Sequence, residues 1–135
     1  MYSFKDGSLV PVKCQDIVML GAVTDGRILL IETIVAKAYK TSVHELDVFY
    51  KDTPAKLMCC FLLHDLLGYS VKSISKKYCI YEYFLDNKIQ EHYKKCLQNV
   101  VFMKHVKSLS DKFLNKEKLN IMQQNVNNAV TVSGI

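Results

Sequence analysis

The side chains suited to chemistry gather in one stretch, Ser70 to Lys95, SVKSISKKYCIYEYFLDNKIQEHYKK. Lys72, Lys76, Lys77 and Lys88 are cations that can grip phosphate oxygens, and Lys56 upstream is a further candidate. Such contacts set affinity and salt dependence and carry no base information. Asn87 can pair bidentately with adenine, and Glu82 or Asp86 can accept from the amino group of cytosine. Tyr81 and Tyr83 complete an outward-facing set beside them. The chemistry these types point to is recognition of double-stranded DNA, with no bond made or broken.

Other chemistries find less support in the residues. The five cysteines, at 14, 59, 60, 79 and 96, are odd in number and lack framework spacing. Cys59 and Cys60 read as small buried hydrophobes, and His44, His64, His92 and His105 form no zinc-like spacing with any cysteine. His64-Asp65 reads as a boundary pair and not as a catalytic dyad. No GxxxxGK[ST] run occurs, so no nucleotide site is expected. The expectation is therefore a protein that is not an enzyme and needs no cofactor and no metal. No apolar run reaches transmembrane length and no signal peptide is visible at the N-terminus. The reading is thus a cytoplasmic protein that does not engage a membrane.

Charge supports a polyanion partner. Residues 1–71 carry seven Lys/Arg against eight Asp/Glu, whereas residues 72–135 carry eleven against five. The net +5 therefore arises from the half that begins at the candidate site.

The elements that must position these side chains follow from period and caps. Ser70 caps a helix in which Ile74 and Tyr78 share a face; after a turn, Leu85, Ile89 and Tyr93 continue an apolar stripe. Two helices joined by a three-residue turn over 70–95 make a helix-turn-helix, whose second helix can enter the major groove. Upstream, Asp25 caps a helix over 26–39 with Leu30, Ile31, Ile34, Val35 and Ala38 inside and Glu32, Lys37 and Lys40 outside. Ser42-Val43-His44-Glu45 fits a capping box, with Leu46, Val48 and Phe49 as anchors. Thr53-Pro54 opens a buried helix of Leu57, Met58, Phe61, Leu62 and Leu66 that stops at Gly68. A last helix over 101–114 buries Phe102, Val106, Leu109 and Phe113. The division is an N-terminal extension (1–24), a helical domain (25–114) and a polar C-terminal tail (115–135). Within the extension, residues 9–12 read as extended and 16–23 as a short helix or strand. The tail reads as disorder or as a helix ending near Val126. The fold class is all-α, a compact multi-helix domain.

The order of these elements resembles the C-terminal DNA-binding domain of the bacterial replication initiator DnaA, related in architecture to the Trp repressor. Val35-Ala36-Lys37-Ala38-Tyr39 is similar to its "VAEYF" segment, Ser42-Val43-His44-Glu45-Leu46 to "SVEDL", and Gly68 to Ser75 to the "GLSLPEIG" corner. The family's Gly-Gly-Arg-Asp-His-Ser/Thr-Thr signature falls on Cys79-Ile80-Tyr81-Glu82-Tyr83-Phe84-Leu85, where only the acid is kept in kind. Its basic approach to the long helix falls on Thr53-Pro54-Ala55-Lys56. The resemblance covers about two thirds of the chain. It implies a stand-alone relative of the DNA-binding module, without the initiator's ATPase part, acting in replication or transcription control. The alternative is a helical protein-interaction or homodimerisation domain that kept the fold and lost sequence-specific reading. Tyr81, Tyr83 and Phe84 form the aromatic cluster expected of such an interface.

Overall fold

The computed structural model describes residues 2–5, 8–11, 26–46 and 52–133. Two strands, β1 (Tyr2–Lys5) and β2 (Ser8–Pro11), pair antiparallel with Tyr2 opposite Pro11. Among the described residues six helices follow: α1 (Gly26–Ala38), α2 (Val43–Leu46), α3 (Pro54–Leu67), α4 (Val71–Tyr78), α5 (Glu82–Gln98) and α6 (Val100–Ser133). The body is all-α, as expected, with the hairpin's β1 lying against α3. The segment over 16–23, the Asp25 cap and the Val48 and Phe49 anchors lie outside the described residues.

The helix boundaries follow from local chemistry. Ser42 Oγ accepts from the Glu45 N–H at 3.2 Å and starts α2. Thr53 Oγ1 accepts from the Lys56 N–H at 3.2 Å, with Pro54 in the first turn. Gly68 ends α3 in the left-handed region at φ 72°, where a glycine has no Cβ to clash. Two residues later Ser70 Oγ accepts from the Ser73 N–H at 3.1 Å and α4 begins. Asn99 serves both sides of the last corner. Its N–H donates to Lys95 O at 2.8 Å, closing α5, and its Oδ1 accepts from the Phe102 N–H at 3.1 Å, opening α6.

Helix α3 is the hub. It packs on α1, α4 and α5, while α6 lies across α1 and α5. Met58, Cys59, Cys60, Phe61, Leu62 and Leu63 are all buried, so α3 is apolar on nearly its whole circumference. Leu57 and Leu66, expected inside, are only partly buried. From α6, Val106, Leu109 and Phe113 enter the core and Phe102 packs at its edge.

Two expectations for α1 need correction. Glu32 is buried and not outside: its carboxylate accepts from the Tyr78 hydroxyl at 3.1 Å, which ties α1 to α4. Ala38 is exposed, and Ile28 takes its place in the core. Helix α6 runs past Leu114 through the polar tail, the helical one of the two alternatives, and ends at Ser133, beyond Val126. No glycine or proline occurs between Asn99 and Gly134 to break it.

Candidate nucleic-acid interface

Helices α4 and α5 meet across the residues 79–81. Cys79 ends α4 with φ 54° and ψ 44°, left-handed values that cost a non-glycine residue about 1–2 kcal/mol. The conformation is held because the N–H groups of Cys79 and Ile80 both donate to Ser75 O. Ile80 is buried and pins the turn to the core. The chain then leaves Tyr81 as the N-cap of α5, with no side-chain cap hydrogen bond. The first turn of α5 is therefore uncapped by a side chain, unlike those of α3 and α4.

The stripe Leu85, Ile89, Tyr93 and Cys96 seats α5 on α3. Burying each of the first three is worth about 1.5–3 kcal/mol. Tyr93 also donates to buried Asp65 at 3.3 Å and meets the Phe61 ring edge-on at 4.9 Å. With that face fixed, the opposite face of the first two turns is fixed as well. Tyr81, Glu82, Tyr83 and Asn87 are exposed and Asp86 is half-buried.

An open groove of about 540 Å³ lies between the starts of the two helices. Ser70, Val71 and Lys72 of α4 form one wall, and Tyr81, Glu82, Tyr83 and Asp86 form the other. The expected outward set is thus brought to one surface, except that Asn87 lies one position beyond the groove. Among the described residues, no hydrogen bond or ion pair engages the Lys72 ammonium, the Glu82 and Asp86 carboxylates or the Tyr81 and Tyr83 hydroxyls.

The lysines divide. Lys72 and Lys76 are exposed and sit one turn apart on α4. Lys77 lies over the Tyr78 ring at 4.7 Å. Lys88 is committed locally, 3.2 Å from Glu91 and 5.4 Å from the centroid of Phe84. Lys56 corrects an expectation. It is fully buried and its Nζ pairs with Asp52 at 3.5 Å, so it cannot reach a phosphate. Its position in the first turn of α3 faces the packed interior.

The buried and half-buried histidine, cysteine and tyrosine groups serve the core. His64 Nδ1 donates to Tyr69 O at 2.8 Å, and His92 Nδ1 donates to Lys88 O at 2.7 Å. Burial lowers both pKa values. His105 Nε2 lies 3.0 Å from the Tyr39 hydroxyl. Burial pushes Cys60 and Tyr78 well up, and Cys96 to about 11, so these groups are neutral. Among the described residues no helix is long and apolar enough to cross a membrane.

Sequence reading missed two features of this surface. Ser70 and Val71 line the groove as well as starting α4. The first turn of α5 has no side-chain cap. The signal for the second was present, since Tyr81 stands where Ser, Thr, Asp or Asn would cap. Comparison with known protein families, curated proteins and solved structures finds no match.

Proposed function

We propose that this protein is a DNA-binding module of the helix-turn-helix kind, with α4 as the positioning helix and α5 as the reading helix. The observation that carries the reading is the joint exposure of two partner-free lysines on α4 and of the outer face of α5 at Tyr81, Glu82, Tyr83 and Asn87. Lys72 and Lys76 grip phosphates, with Lys77 and Lys88 as weaker contributors because both are already engaged. Asn87 reads adenine, and Glu82 accepts from an exposed base amine. The order of elements, which resembles that of the DnaA DNA-binding domain, supports this reading, and replication or transcription control is the setting we propose for it.

The test is a salt titration of duplex DNA binding by fluorescence anisotropy. Each phosphate contact contributes about −0.9 to the slope of log affinity against log salt. Lys72 and Lys76 with two partial contacts give a slope between about −2 and −4, and K72E/K76E abolishes binding. Absence of binding at low salt by the unmodified protein would end this reading.

A second reading has its own observation. Tyr81 and Tyr83 are 76% and 68% exposed and Phe84 is 38% exposed, an aromatic tip that a protein interface would bury. Light scattering decides it: a dimer that reverts to monomer in Tyr81→Ser/Phe84→Ser favours an interaction domain.

A further inference from the structure

Resting on the nucleic-acid reading above, we infer that the groove between the starts of α4 and α5 is a pocket for an unpaired guanine base in a single strand. The argument begins with what this surface cannot do well. In duplex DNA, guanine offers only acceptors, N7 and O6, to the major groove. Glu82 and Asp86 are acceptors as well, so a paired guanine is repelled. The chain has a single arginine, Arg27 on α1, and none in the groove to make the usual bidentate contact.

The Watson–Crick edge of guanine has the opposite character. N1–H and the N2 amino group are adjacent donors that match one carboxylate bidentately. Both are consumed in a base pair and free only in an unpaired base. Glu82 and Asp86 lie one helical turn apart, line the same groove and hold no partner among the described residues. Tyr81 and Tyr83 supply ring faces at the same mouth, 76% and 68% exposed. Aromatic faces exposed to this degree are the usual platform for unstacked bases.

The strand's charge is met on the other wall. Lys72 lines the groove and Lys76 continues its row along α4. This arrangement separates the two chemistries, acceptors and rings for the base and ammonium groups for the flanking phosphates. It also decides between a nucleic acid and a basic peptide. An arginine side chain suits the carboxylates and the rings, but its peptide must then lie against Lys72 and Lys76.

The test uses the full chain and labelled twelve-nucleotide oligomers: oligothymidylate, the same strand with one central guanine, the same with inosine in its place, and a blunt mixed-sequence duplex. The guanine strand is expected to bind about tenfold tighter than oligothymidylate. Inosine, which lacks the N2 amino group, loses most of that gain. Glu82→Gln and Asp86→Asn each reduce the guanine preference, and Tyr83→Ala weakens every single strand by about tenfold. Circular dichroism checks that each variant is folded, and Tyr81→Ala replaces any that is not. Equal binding of guanine and thymine strands alongside salt-dependent duplex binding overturns the pocket and leaves the DNA-binding reading standing. Binding of none of the four overturns both. Tighter capture of an arginine-containing peptide than of the guanine strand overturns the pocket by assigning it to a protein.

Discussion

Replacing Cys79 tests the turn that aims α5. This residue holds φ 54° and ψ 44° while being exposed, and its thiol makes only a 4.0 Å approach to Lys76 O. Its side chain therefore contributes little, and its backbone conformation dominates its energetics. An L-residue in the left-handed region costs about 1–2 kcal/mol, which glycine avoids. Glycine in turn loses about 0.5–1 kcal/mol more on ordering. The difference leaves Cys79→Gly more stable by roughly 0.5–1 kcal/mol, or about 2–5 °C in melting temperature for a domain of this size. Cys79→Ala keeps the strained backbone and should melt within about 1 °C of the original. Cys79→Val adds a β-branched side chain at positive φ and should melt lower. Thermal melts by circular dichroism at one pH and salt give all three values. The reasoning fails if glycine and alanine behave alike, because the turn would then not be held in the left-handed conformation.

Further tests reach the core and the corrected assignments. Tyr78→Phe removes the donor to buried Glu32 and should cost about 1–3 kcal/mol in urea unfolding. Lys56→Met should leave the salt dependence of DNA binding unchanged in the anisotropy titration, because Lys56 is buried; a flatter slope would return it to the interface. Acid should weaken the fold through His64 and His92. Burial lowers both folded-state pKa values, so below pH about 6.5 the unfolded chain binds more protons than the folded one. Stability is therefore full above that pH and falls as pH drops towards the folded values. Urea midpoints from pH 8 to 5 should decline with an uptake of at most about two protons attributable to this pair.

Local chemistry made much of this fold legible. Ser70, Thr53-Pro54, Gly68 and Ser42 each fix a helix boundary through one or two short hydrogen bonds or a single backbone angle. The four-residue spacing of Leu85, Ile89 and Tyr93 fixed which face of α5 turns inward, and so which face is free. What escaped was decided between elements. Glu32 and Lys56 look like exits to solvent on their own helices. Tyr78, forty-six residues away, and Asp52 make their burial tolerable. The choice between a disordered tail and a longer α6 stayed open because regular apolar spacing stops at Phe113 while helix-permitting residues continue. The pairing of β1 with β2 also went unread. At the site, residue types were legible, but the sharing of one groove by Lys72, Glu82 and Asp86 depends on the angle between α4 and α5.

The central claim is that the outer face of α4 and α5 meets nucleic acid, and backbone amide mapping by NMR tests it most directly. Titrating isotopically labelled protein with a mixed-sequence duplex should shift Ser70, Lys72, Lys76 and residues 81–88, leaving the exposed α6 lysines Lys107 and Lys112 unmoved. Shifts confined to α6, or none at low salt, would contradict it.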